Sequence, residues 1–362
     1  MQWPTYRGNH RFNGLAAGNW TPPFELKWKF KTNEPVKSSA VVANRIVFIG
    51  SDDAHIYAVD LDTGKLRWAR KTGGPIEAPP LLVEDRVIIG SDDGILYAIS
   101  AGSGEIIWTY ETGGRIVGSA NWSPSEPSNP HGSILFGSYD NFLYCLDAKS
   151  GKLQWKFGTD NYINGAAAIA DGQAVFGGCD GFVYAIAVET GQVQARVELG
   201  SPIAGTAGLA DGFAYIGHYG NQFVRINLAN EQIDWTFEDR QFPFFSSPAI
   251  SRKRTVFGSR SKRVYCVSRD DGKLIWTFPT RGKVDSSPVI CGDKVVTGSD
   301  DGRLYVLGLD KGEEIWSYQI GEAITSSPAV AGNIIVIGSE DGSVYAFGPK
   351  TPPAFPENAD AQ

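Results

Sequence analysis

The stretch GSDDGRLYVLGLDKGEEIWSY, Gly298–Tyr318, decides the fold. RLYVLG and EEIWSY have the β-branched and aromatic content of strands, and the LDKG between them is built of turn residues. Leu304 and Val306 would lie on one face of the first strand, Tyr305 and Leu307 on the other. A strand apolar on both faces is packed on both sides rather than facing water.

The same order of glycine, tyrosine, polar turn and tryptophan returns along the chain. The glycines are Gly50, Gly90, Gly137, Gly177, Gly217, Gly258, Gly298 and Gly338, spaced by about 40 residues with one longer step. The tyrosine position holds Tyr57, Tyr97, Tyr144, Tyr184, Val224, Tyr265, Tyr305 and Tyr345. Each copy has room for four short strands, which is the pattern of a propeller blade. The expected fold is all-β: an eight-bladed β-propeller with four antiparallel strands per blade. The last copy stops at YAFGPK without its tryptophan strand, and a spare one, FELKWKF with Trp28, lies near the start. The N-terminal strand is therefore expected to complete blade 8 and close the ring, which removes an exposed sheet edge. On this reading residues 1–23 pack on the ring, 24–348 form the propeller and 349–362 are a disordered tail.

Trp28, Trp68, Trp108, Trp155, Trp235, Trp276 and Trp316 are read as structural, each docking on the outer part of a blade against its neighbour, with the indole N–H reaching a backbone acceptor. Ala195 takes the place of the tryptophan in blade 4, so the seam there should be weaker unless another side chain fills it. The repeat glycine is read as ending the second strand at a sharp turn where positive φ is useful.

With 42% apolar and 12% aromatic residues among 362, the chain can bury a large core. A net charge of −7 argues against a nucleic-acid partner, which would require a dominant basic face. No apolar run is long enough to span a bilayer. The first residues show no signal region, so the protein is expected in the cytoplasm if Met1 is native. Cys145, Cys179, Cys266 and Cys291 show no paired spacing, and Cys145 and Cys266 read as buried small apolar side chains. His10, His55, His131 and His218 lack metal-ligand spacing. Paired acids such as Asp52/Asp53, Asp92/Asp93, Asp300/Asp301 and Glu340/Asp341 read as solvated turn caps rather than calcium ligands.

Repeats of the form GSxDGxLYAxDxxTGKxxW resemble the PQQ-repeat, quinoprotein-like propeller family. That family includes the PQQ-dependent alcohol dehydrogenases and outer-membrane assembly lipoproteins of the BamB kind. The opening WPTYRGN, Trp3–Asn9, is similar to that of non-enzymatic members. For a dehydrogenase the resemblance implies PQQ on an aromatic platform, calcium on Glu and Asn side chains, an Asp base and an adjacent-cysteine disulfide. The sequence has no adjacent cysteines, and no catalytic, cofactor or metal residue carries over. Removal of a leader would, by the resemblance, place the protein in the periplasm.

The candidate site lies where the repeats differ. Entering the innermost strand they read NEPVKSS, GGPIEAP, GGRIVGS, DNYINGA, GSPIAGT, QFPFFSS, RGKVDSS and GEAITSS. One slot changes from blade to blade, and its Lys37, Glu77, Asn164, Phe245, Asp285 and Thr325, with Arg115, Tyr162 and Lys283 beside them, should ring the channel mouth. Blade 6 carries RSKR, Arg260–Arg263, opposite in charge to the acidic turns of blades 7, 8, 1 and 2. The insertion NWSPSEPSNPHGS, Asn121–Ser133, should lie on the opposite face, with Trp122 folded back on its blade. The functional expectation is a monomeric, non-catalytic scaffold for protein or peptide partners, without cofactor. The alternative is a PQQ or other small-ligand binding protein, possibly a quinoprotein oxidoreductase with calcium.

Overall fold

The computed structural model describes residues 2–18, 20–124 and 130–350, so the expected tail from 351 onward and the middle of the blade 3 insertion lie outside the described residues. Eight antiparallel sheets form the ring. Blade 1 is Val41–Ala43, Ile46–Ser51, His55–Asp60 and Leu66–Lys71, from the axis outward. Blade 8 takes Ala329–Ala331, Ile334–Ser339 and Ser343–Pro349 from the C-terminal end and Phe24–Lys31 from the N-terminal end. The ring therefore closes as the repeat count requires. In the third strand of blade 7, both Leu304/Val306 and Tyr305/Leu307 are buried.

Two contacts repeat at the seams. The inner one involves the repeat glycine, and here the sequence expectation is corrected. Gly50 lies inside a strand and does not have positive φ. A Cβ on it would come within 2.2 Å of Ile76 Cγ2 in blade 2. Gly90 meets Ile116 in the same way, and at ring closure Gly338 meets Val36. The glycine is needed for the approach of the next blade rather than for a turn.

The outer contact joins a tryptophan to the next blade's turn. Trp68 lies on Gly104, which has φ of 73°, and a Cβ there would sit 2.7–3.0 Å from the indole ring. The same pairing joins Trp28 to Gly64, Trp108 to Gly151, Trp155 to Gly191, Trp235 to Gly272 and Trp276 to Gly312. The indole N–H of Trp68 donates to the Ala101 carbonyl at 2.9 Å, and those of Trp28, Trp155, Trp235 and Trp276 to Leu61, Val188, Arg269 and Leu309. The Trp108 N–H has no partner among the described residues. In every blade a register shift falls one residue before this position, as between Leu66 and Trp68. The bulge re-aims the following side chain toward the neighbour.

Two seams depart from this. At the blade 4–5 seam Ala195 faces a turn with Glu231, φ 58°, where the glycine would be. Ala195 is nonetheless buried, in a cluster with Leu209, Val224, Ile226 and the half-buried Leu228. At the 7–8 seam no turn exists, because the two outer strands of blade 8 come from opposite ends of the chain. There Trp316 meets Phe24 and Phe347 edge-on, both at 5.5 Å, and Phe24 meets the buried Trp20 at 5.8 Å.

Residues Trp3 to Trp20 run round the ring on the face opposite the blade-entry loops. Trp3 bridges Val42 of blade 1, and the carbonyl of Pro4 accepts from Leu82 of blade 2. The His10 carbonyl accepts from Asn121 Nδ2 and Ile169 N, the Arg11 carbonyl from Leu209 N, and the Asn13 and Gly14 carbonyls from Ile250 N and Ile290 N. Leu15–Ala16 adds a parallel strand to blade 7, and Trp20 donates to Gly332 of blade 8. One segment thus touches the inner part of all eight blades. Trp122 folds back against His10 at 5.5 Å, edge to face.

Candidate mouth of the central channel

The slot residues converge on one cup of about 170 Å³ on the axis. Lys37, Glu77, Asn164, Phe245, Asp285 and Thr325 all line it, together with Val117 and Ala204 from the remaining blades. They converge because each sits one residue past the buried side chain that covers the preceding blade's glycine, as Glu77 follows Ile76. Arg115, Tyr162 and Lys283 are exposed and do not line the cup; each precedes its slot by two residues on the entry loop.

Hydroxyls line the throat. The backbone N–H of Ser327 donates to Ser39 Oγ, Ser287 N–H to Ser327 Oγ, Ser247 N–H to Ser287 Oγ, Thr206 N–H to Ser247 Oγ and Ala166 N–H to Thr206 Oγ1, at 2.8–3.2 Å. Each bond joins adjacent blades, so the SS and GT pairs of the entry segments tie the inner strands together. Tyr6 forms the floor, its hydroxyl 3.1 Å from Ser287 Oγ and 3.4 Å from Ser247 Oγ. Beside it the buried Arg7 donates to the Ser287, Pro248 and Pro288 carbonyls. Burial draws the Arg7 pKa down to about 10, so it stays charged at neutral pH.

A second ring of residues at the mouth was not recognised as such from the sequence. It occupies the second position after the repeat glycine: Asp52, Asp92, Tyr139, Cys179, Tyr219, Arg260, Asp300 and Glu340. Several of its members pair with the first ring or with the residues beside it. Lys37 Nζ is 2.6 Å from Asp52 and 3.5 Å from Glu77. Arg115 is 2.7 Å from Asp92 and 3.7 Å from Glu77. Tyr139 donates to Asn164 Oδ1 at 2.8 Å and stacks on Tyr162 with centroids 5.0 Å apart. Tyr219 packs on Phe245 at 4.5 Å, and Arg260 lies 3.9 Å above Phe245 while pairing with Asp285 at 2.8 Å. Thr325 donates to Glu340 at 3.1 Å. The signal was available, because this position varies blade by blade as the slot does.

The second acid of each pair is not the solvated cap expected. Asp93 Oδ2 accepts from the Tyr97 hydroxyl at 2.6 Å and from Gly73 N–H at 2.7 Å, and its Oδ1 from Ile95 N–H. Asp53, Asp140, Asp180, Asp301 and Asp341 accept the repeat tyrosine likewise. Burial and the bond to Asp93 push the Tyr97 phenol up to about 12. Within the RSKR turn, Arg260 is held by Asp285. Asp300 differs from the other acids. Burial first and Asp285 second push its pKa up to about 6. Its Oδ1 is buried without a partner, as are those of Asp52 and Asp92.

The donor set does not fit PQQ with calcium. Among the described residues no three His, Cys, Asp or Glu side chains gather to hold an ion. Asp52, Glu77, Asp92 and Asp285 are committed to Lys37, Arg115 and Arg260, and the rings of Tyr139 and Phe245 are already covered by Tyr162 and Arg260. All four cysteines are free, and burial pushes the Cys145 and Cys266 thiols up to about 12.

A family model described as outer membrane protein assembly factor BamB matches residues 25–156, 111–194 and 179–352, which together span the propeller. The chain belongs to this PQQ-repeat propeller family. Among solved structures it is similar to BamB from Moraxella catarrhalis, at 17% identity and a TM-score of 0.76 over 90% of this chain and all of that one. The computationally designed Ika8 protein matches at 17% identity and 0.79 over 90% of this chain and 99% of its own. The quinohemoprotein alcohol dehydrogenase of Comamonas testosteroni matches at 13% identity and 0.82, over 97% and 81%. At these identities the likeness is one of fold. No curated protein matches the sequence. Among the described residues no helix is long and apolar enough to cross a membrane, which says nothing of β-strand spans.

Proposed function

We propose that this BamB-like propeller is a non-catalytic scaffold that holds a protein or peptide partner at the channel mouth. The observation that carries this reading is the mouth itself. The inter-blade packing repeats almost unchanged, while the two mouth rings change chemistry from blade to blade and face solvent over a throat floored by Tyr6. Residues freed from packing that still differ in an ordered way are available for recognition. Lys37, Arg115 and Arg260 are held in fixed pairs by Asp52, Asp92 and Asp285, which suits complementarity to a surface better than proton transfer. By the family's name, a component or client of outer-membrane protein assembly is one class of partner, and with it a periplasmic location.

A second reading, small-ligand binding, is favoured by the concave, hydroxyl-lined cup. Titration with PQQ and calcium, followed by thermal unfolding and tryptophan fluorescence, separates the two. The scaffold reading predicts no shift. A saturable, calcium-dependent rise in the unfolding midpoint would replace it with the quinoprotein reading.

A further inference from the structure

The mouth has two unlike halves. On blades 3 to 6 the two rings are uncharged until Arg260, and they carry two aromatic pairs, Tyr139 with Tyr162 and Tyr219 with Phe245. Tyr162 and Tyr219 are each about half exposed, at 49% and 48%, so one face of each pair is open. On blades 7, 8, 1 and 2 the rings carry carboxylates. Arg115 and Arg260 stand at the two boundaries, each lying over an aromatic ring and paired with an acid, Tyr139 and Asp92 for one, Phe245 and Asp285 for the other.

The charges on the acidic half do not cancel. Among the described residues no lysine or arginine comes within ion-pair distance of Asp300 or Glu340, which sit on adjacent blades 7 and 8. Lys283, exposed at the edge, softens Asp300 without pairing with it. An aromatic ledge on blades 4 and 5 and a surplus of negative charge on blades 7 and 8 stand around the same mouth, outside the lining of the cup itself. A basic side chain would be drawn to the acidic side, and an aromatic or apolar side chain would cover the ledge.

Resting on the scaffold reading, we propose that the partner presents an extended segment carrying a lysine or arginine, seated against Asp300 and Glu340, and an aromatic residue laid on the Tyr162–Tyr219 ledge. An entirely acidic or entirely aliphatic segment is excluded by the same geometry. The reading is a specificity claim, because charge complementarity at a rim selects partners more than it adds affinity.

The test uses the full chain and a short unstructured glycine–serine peptide bearing one lysine and one tryptophan, with lysine-to-glutamate and tryptophan-to-alanine counterparts. Binding is read by fluorescence anisotropy. The basic–aromatic peptide should bind about tenfold or more tighter than either counterpart. Asp300→Asn with Glu340→Gln should remove the preference for lysine and leave that for tryptophan; Tyr162→Ala with Tyr219→Ala should do the reverse. Unchanged thermal unfolding of the tyrosine variant establishes that its fold is intact, and Tyr162→Phe should restore part of the tryptophan preference. Equal binding of all three peptides, or none at millimolar concentration, overturns the proposal. If a photo-crosslinker at the mouth then still captures a protein, the scaffold reading stands and only the basic–aromatic assignment falls; if it captures none, both fall.

Discussion

The blade 1–2 seam and the blade 4–5 seam join equivalent pairs of sheets with the same strand order, yet one has an indole and the other a methyl. At the first, Trp68 covers Gly104 and donates to Ala101. At the second, Ala195 faces Glu231, and nothing among the described residues donates to the Leu228 carbonyl that corresponds to Ala101. The comparison teaches that tryptophan and turn glycine form one unit. The ring forbids a Cβ on the turn it covers, so where the ring is missing the glycine is no longer required, and a residue with φ of 58° is tolerated instead.

That account can be broken most visibly at a seam that keeps both parts. Trp28→Ala at ring closure should cost about 3–5 kcal/mol, since it empties a buried site and orphans the Leu61 acceptor. Chemical denaturation measures it. At the blade 4–5 seam the two parts should be restored only together. Ala195→Trp alone should destabilise against the Glu231 side chain, whereas Ala195→Trp with Glu231→Gly should recover that loss. A coupling of about 1–3 kcal/mol is expected in the double-mutant cycle. Additive effects would show that the two positions are independent.

Smaller effects probe the face of the blade-entry loops. Tyr97→Phe takes the phenol from Asp93 and should cost about 1 kcal/mol by the same denaturation assay. The pH response of Asp300 is smaller still and has a definite sign. Its folded pKa, about 6, lies above the ordinary 3.8, so between these values the folded state binds more protons than the unfolded one. Stability is therefore lost as pH rises through that window. Asp300→Asn should raise the unfolding midpoint at pH 8 and leave it unchanged near pH 3.

The blade count, the closure by Phe24–Lys31 and the seam role of the tryptophans were legible because each is a repeated apolar residue at fixed spacing. The repeat glycine was misread because a turn and a close approach leave the same residue in the sequence. The contact with Ile76 is across blades and invisible along one. The slots at the mouth were found through their variation. Their partners were missed because Asp52 or Asp92 looks like any turn acid until Lys37 and Arg115 are seen beside them. The circuit of residues Trp3 to Trp20 carries no periodicity, and nothing in its letters places Tyr6 beneath the channel.

The measurement that tests the functional claim most directly is site-specific photo-crosslinking in the native cell. One probe replaces Val117, at the mouth, and a second replaces Lys65, in a turn on the opposite face. The account predicts a discrete protein adduct from the mouth position and none from the turn. An adduct only from the turn, or from neither, would contradict it.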